Sequence, residues 1–220
     1  MPKYDKKRIA RLFDDMTDTR NTTGGQIARS GENVPQIAGQ VAFEYLELTG
    51  EDVLLDVGTG TGDKAIAAAH ICRQVIGIDI SKRSLERARI KAKQENIVNV
   101  IFAYGEFENP CTELDLFSYG ITKILAIYSL HHLPDPLKRK SLSALAELMR
   151  HPGRIVIGDI MFFDDPEKHS ERFDEVHYDA GDTDFPSRVP FLIKCFKRLG
   201  AIVRVLQLHP LVGVIIADFV

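Results

Sequence analysis

The chain has 220 residues, 45% of them hydrophobic and 27% charged, with a net charge of -3. That length suffices for one well-buried core, and the balance of charge leaves no basic footprint for nucleic acid. No run reaches the roughly 18 apolar residues needed to cross a bilayer, and Met1–Arg8 is not followed by an apolar signal core, so a cytoplasmic protein without membrane contacts is expected.

In chain order, residues 1–45 precede the first clear strand and read as a helical cap. Five of the first eleven residues are Lys or Arg, the usual mark of a solvated helix face. The core follows at 46–160. Val53-Leu-Leu-Asp-Val57 is an apolar run broken by one acid, and it leads straight into Gly58-Thr-Gly-Thr-Gly62. A buried strand ending in a ligand loop is expected there, because glycines let the backbone turn sharply and approach a ligand. The helix opening at Asp63 would turn its free N–H groups toward negative charge. The spacing is G-x-G-x-G, so neither the dinucleotide G-x-G-x-x-G nor the phosphate-loop pattern is met.

A second strand, near 75–79, ends in Asp79, where a carboxylate can accept hydrogen bonds from two ribose hydroxyls. A charged helix from Ser81, a third strand near 99–103 and a fourth at 123–128 follow. The fourth leads to His131-His132 and to a helix stopped by Pro152-Gly153, before a fifth strand at 154–159. Alternating strands and helices call for a parallel sheet covered on both faces. Residues 161–190 form an insertion, acidic throughout and expected to be a solvated lid. In 191–220 a helix precedes two strands, 201–208 and 212–220, joined too tightly to be parallel. Cys72, Cys111 and Cys195 lack metal or disulfide spacing, and the acids of 179–184 match no calcium loop, so no metal site is expected.

Asp56-Val-Gly-Thr-Gly-Thr-Gly62, Gly77-Ile-Asp-Ile80 and Leu130-His-His-Leu133 together resemble the class I S-adenosylmethionine-dependent methyltransferases. The likeness extends over nearly the whole chain, and is strongest to small bacterial and archaeal members carrying an HHL motif, relatives of the quinone-biosynthesis C-methyltransferases. It implies an α/β fold with a seven-stranded, mostly parallel sheet and an antiparallel last strand, a single domain over 1–220, and S-adenosylmethionine as cofactor. Implied cofactor contacts are Asp56, Gly58, Thr59, Gly60, Gly62, Asp79, Ile80, Glu106 and Phe107, with Tyr128 lining the sulfonium and Arg20 standing where the family has a Tyr. The methionine carboxylate would sit against amides of Gly58 to Gly60, its ammonium near Asp56.

His132 or His131, with Tyr128, would serve catalysis. The acceptor pocket would be bounded by these residues, Asp159, His177 and Tyr178. A small-molecule acceptor is expected, since the Asn/Asp-Pro-Pro-aromatic motif of amine-methylating nucleic-acid enzymes is absent after strand four. A monomer or homodimer is expected. The alternatives are a cofactor-binding protein without catalysis, or a nicotinamide oxidoreductase.

Overall fold

The computed structural model describes residues 4–19 and 33–220. Two helices come first, α1 (Lys6–Thr19) and α2 (Val34–Glu44). The core then alternates β1 (Val53–Val57), α3 (Asp63–Ala69), β2 (Gln74–Asp79), α4 (Lys82–Gln94), β3 (Val100–Tyr104), β4 (Ile121–Ile127), α5 (Asp135–Leu148) and β5 (Met149–Phe162). A two-residue β6 (Ser187–Arg188), α6 (Val189–Arg198), β7 (Ile202–His209) and β8 (Val212–Phe219) complete it.

The sheet has eight strands, one more than expected: seven run β3-β2-β1-β4-β5-β8-β7, and the short β6 pairs with the end of β5 alone. Strands β1 to β5 are parallel and β8 lies antiparallel between β5 and β7. β1 is buried at every position because helices cover both faces, which explains its unbroken apolar run. One face packs under α5 and α6 around Leu55, Ile124 and Phe196, the other under α2, α3 and α4 around Leu54, Val75 and Leu125. The chain reverses its strand order at β1, between β2 and β4, and such a switch point opens a crevice at the carboxyl ends of the strands.

α4 begins where Ser81 predicts: its hydroxyl caps the Ser84 amide at 3.1 Å. The end of α5 departs from expectation. The helix stops at Leu148, and β5 starts at Met149, pairing with Ile121 before resuming at Arg154 against Lys123. Pro152 and Gly153 therefore lie in an irregularity of the strand rather than at the helix stop.

The insertion after β5 coils through short helical turns over Pro166–Val176. It is less solvated than its acidity suggested. Glu175 and Asp184 are buried, and Val176 packs with Phe162, Leu211 and Val34 in a third apolar cluster. Fully buried Lys138 of α5 donates to the Phe185 carbonyl and, at 2.8 Å, to the Ser187 hydroxyl, which ties the insertion to the core.

Candidate active site

At the carboxyl ends of β2, β1 and β4 a cavity runs along the sheet from Asp79 and Glu108, past the glycine loop, to Tyr128 and His132. α1 and α2 roof it with Phe13 and Gln36. Gly58, Gly60 and Gly62 have φ of 75°, 54° and 80°, the left-handed region that glycine enters without steric cost. At Gly58 the fit is also close: a Cβ there would stand 2.5 Å from Ser129 Cβ.

Loop amides expected to meet a ligand carboxylate are already engaged. Gly58 and Thr59 donate to the Ile78 carbonyl at 2.8 and 3.0 Å, and Gly60 donates to Asp79 Oδ2 at 2.8 Å. Three N–H groups thus hold the loop in shape, and the anion role assigned to them is set aside. Asp79 Oδ1 accepts the Ser81 amide at 2.8 Å, so each carboxylate oxygen keeps lone-pair capacity for a further donor in the cavity.

Asp56 is 3% exposed, and the Thr59 hydroxyl donates to it at 2.7 Å. Burial pushes its carboxyl up to about 7, with Asp79 adding repulsion. A buried carboxylate on a cavity wall, with no ion-pair contact among the described residues and Lys64 acting on it only at longer range, is a place for a ligand's ammonium. A raised folded-state pKa gives stability that is full below about pH 4 and is lost as pH rises through 7, up to about 4 kcal/mol over three units. Asp56→Asn should therefore unfold later than the parent at pH 8, by about 2–4 kcal/mol, with the gap closing toward pH 4. Chemical denaturation at the two pH values checks it, and equal stability at pH 8 would show that Asp56 carries no buried charge.

Of the two acids near the end of β3, the structure brings Glu108 rather than the expected Glu106 to the cavity. Glu106 does not line the cavity. Lys6 of α1 pairs with it at 2.5 Å, and the Tyr104 hydroxyl donates to it at 2.9 Å. Glu108, also paired with Lys6, at 3.0 Å, is the acid on the wall, beside Ile80 and Phe107. The basic N-terminal face is accordingly engaged: Lys6 bridges to these acids, and Arg8 grips Asp182 of the insertion with two bonds of 2.9 and 2.6 Å. Arg20 lies outside the described residues.

Tyr128 has a φ of 46°, strained for a non-glycine residue, and its buried hydroxyl has no hydrogen-bond partner among the described residues. Beside it the two histidines differ. His131 is enclosed: Asp159 Oδ1 stands 2.5 Å from Nδ1, Asp159 Oδ2 accepts its amide at 3.0 Å, and Asp184 Oδ1 lies 3.4 Å from Nε2. Burial opposes its charge, but the two carboxylates outweigh that and raise it to about 10. With both ring nitrogens held by carboxylates it is no free base. His132 lines the cavity in edge contact with Phe13, while its Nδ1 faces Asp184 Oδ1 at 3.1 Å and the Thr183 carbonyl at 3.3 Å. Burial and the neighbouring His131 lower its pKa.

Asp159 supports His131 from behind and is not on the cavity wall. His177 is exposed, and Tyr178 packs against Phe162 and Phe173 away from the cavity. Both leave the expected acceptor pocket, because the insertion turns a different residue, Asp184, toward the histidines. Asp179 closes its own turn: its oxygens accept the amides of Gly181, Asp182, Thr183 and Asp184. Sequence reading missed Lys6, Phe13, Glu108 and Asp184.

S-adenosylmethionine fits this set of groups. A buried carboxylate on the wall can face its ammonium, Asp79 retains acceptors for ribose hydroxyls, and glycine at 58 lets the loop pack against Ser129 beside them.

A methyltransferase domain family matches residues 48–189. The 27-O-demethylrifamycin SV methyltransferase of Amycolatopsis mediterranei is 33% identical over 136 residues, 60% of this chain and 48% of that protein. A 23S rRNA (uracil(1939)-C(5))-methyltransferase of Legionella pneumophila is 31% identical over 84 residues, 38% of this chain and 19% of that protein. The chain thus spans about half the length, or less, of these curated relatives. Among solved structures, the magnesium protoporphyrin IX methyltransferase of Synechocystis PCC 6803, with bound SAH, aligns over 98% of this chain and 100% of its own, with TM-score 0.74 and 18% identity. From the match over 48–189 and the strand order with β8 inserted beside β5, the chain belongs to the methyltransferase domain family and has the class I S-adenosylmethionine-dependent methyltransferase fold.

Proposed function

We propose that this protein transfers a methyl group from S-adenosylmethionine to a small-molecule acceptor. The observation that carries this reading is one cavity with Asp79 at one end, Asp56 in the middle and the Tyr128–His132 pair at the other. When bound, the cofactor supplies a methyl already activated on a positive sulfur. The chain's own residues then have the tasks of holding, orienting and drying the site. Asp79 fixes the ribose, Asp56 the ammonium, and Ile80 and Phe107 flank the base. That order leaves the sulfur end beside Tyr128, whose ring face favours positive charge. His132 and the Tyr128 hydroxyl, which has no partner among the described residues, are polar groups placed to meet the acceptor there. In-line positioning of two reactants can supply about 7–11 kcal/mol, so little covalent chemistry is asked of the protein.

A small acceptor is favoured over a polynucleotide by the roof. α1 is latched over the cavity through Lys6 to Glu106 and Glu108 and through Arg8 to Asp182, and the flanking insertion is acidic, which repels phosphate. The names of the rifamycin and magnesium protoporphyrin relatives point the same way, while the rRNA enzyme resembles only a third or so of the chain.

Calorimetry with S-adenosylmethionine and S-adenosylhomocysteine tests the cofactor, with micromolar affinity expected, about -8 kcal/mol. Heat with a dinucleotide and none with either compound would overturn the reading. Screening metabolite pools for S-adenosylhomocysteine release then tests turnover, and binding without release from any pool would leave a cofactor-binding protein without catalysis. Asp79→Ala should weaken S-adenosylhomocysteine by about 1.5–3 kcal/mol through lost charge-assisted hydrogen bonds. A folded variant that binds as tightly as the parent would remove Asp79 from the ribose site.

A further inference from the structure

Three ligand-type atoms converge behind the acceptor end of the cavity. Asp184 Oδ1 lies 3.4 Å from His131 Nε2 and 3.1 Å from His132 Nδ1, and the three atoms all lie within 4.8 Å of one another. Their side chains are 4%, 5% and 12% exposed. Atoms bound to one ion at about 2.0–2.2 Å stand about 3.0–3.5 Å apart, which is the separation seen from Asp184 to each imidazole.

The surroundings are built as the outer shell of such a centre is built. Asp159 holds His131 by Nδ1 at 2.5 Å and by its backbone N–H at 3.0 Å, which directs Nε2 toward Asp184. A carboxylate behind a ligating imidazole sets the ring's tautomer and orientation. Asp184 is oriented in turn, since its Oδ2 accepts the Asp179 amide at 3.0 Å and leaves Oδ1 for the rings. A separate observation also points to a missing partner. The Tyr128 hydroxyl is buried with no hydrogen bond among the described residues, and the Tyr128 ring meets His131 edge-on at 5.8 Å.

We propose that His131, His132 and Asp184 form a site for a divalent transition metal ion of the Zn²⁺ class, at the acceptor end of the cavity. Two imidazole nitrogens and one carboxylate suit such an ion, whereas Mg²⁺ and Ca²⁺ prefer oxygen ligands throughout. Three protein ligands leave a coordination position open. Resting on the methyl-transfer reading, His132 is the ligand that reaches the cavity wall, where the acceptor would stand. Metal binding itself does not depend on that reading.

The test uses the full chain, dialysed against a chelator. Zn²⁺ is titrated by calorimetry and Co²⁺ by visible absorption at pH 8, with S-adenosylhomocysteine binding measured on the same protein. One ion per chain is expected, with Co²⁺ d–d bands and a raised melting temperature. Asp184→Asn, close to the parent in shape, should lose at least 100-fold in Zn²⁺ affinity, and Asp159→Asn about 10–100-fold. Both should keep S-adenosylhomocysteine binding, which also reports that they fold. A parent that binds S-adenosylhomocysteine but takes up no stoichiometric ion overturns the metal site alone. So does an Asp184→Asn variant that holds Zn²⁺ as tightly as the parent. An ion taken up by a parent that binds no S-adenosylhomocysteine supports the metal site and sinks the cofactor reading.

Discussion

Gly58→Val should abolish cofactor binding, lowering S-adenosylhomocysteine affinity by at least about 100-fold. Two costs fall at one place. Gly58 sits at a φ of 75°, where a β-branched residue is a steric outlier worth about 1–3 kcal/mol of strain. Its new Cβ would also stand 2.5 Å from Ser129 Cβ and 2.8 Å from Ser129 Oγ, an overlap that adds about 1–3 kcal/mol unless the loop moves. Moving the loop breaks the bonds from Gly58 and Thr59 to the Ile78 carbonyl, which hold it beside Asp79. Calorimetry checks the affinity and thermal unfolding checks that the variant folds. A second variant separates the two costs: Gly58→Ala with Ser129→Gly removes the contact and keeps the strain, so it should recover part of the binding. A folded Gly58→Val that binds like the parent would take the loop out of the site.

What the sequence revealed of this site was what one segment could hold by itself. The glycine loop and Asp79 were legible because a strand, a turn and an acid at the next strand's tip are local patterns, and the sheet brings β1 and β2 together in a single register. Glu106 was misread because its neighbour is set from far away. Lys6, a hundred residues earlier, reaches over with α1 and pairs with both Glu106 and Glu108, and of the two only Glu108 lines the cavity. The acceptor end was less legible still. His131 and His132 announced themselves as a pair, but their division of labour comes from Asp159 and Asp184, and Asp184 arrives on an insertion whose path no periodicity encodes. The same path explains why His177 and Tyr178 fell away from the cavity. Once Asp179 gathers the amides of the 181–184 turn, the residues that face the histidines are fixed by that turn and not by aromatic content.

His132→Ala should lower turnover by about 10²- to 10⁴-fold while leaving S-adenosylhomocysteine affinity within about twofold of the parent. The expected split follows from position. Asp56, Asp79 and the glycine loop lie along the middle and far end of the cavity, whereas His132 stands at the Tyr128 end, stacked edge-on against Phe13 at 5.1 Å. Its removal touches no group assigned to the ribose or the ammonium. It does remove the imidazole that meets the acceptor, and a positioned group that handles an acceptor's proton contributes about 10²–10⁴ in rate, whether it acts directly or through what it binds. A fall in kcat with cofactor binding intact is the signature of an interaction made with the reacting acceptor. The measurement is the rate of S-adenosylhomocysteine release from the metabolite pool that the parent methylates, alongside calorimetry on both proteins. Equal turnover would return His132 to a packing role against Phe13, and positioning of acceptor and methyl would then be the whole source of the rate. A loss of cofactor affinity as large as the loss of turnover would place the cofactor's reactive end against His132 itself, and the acceptor would have to enter from the α2 side, past Pro35 and Gln36.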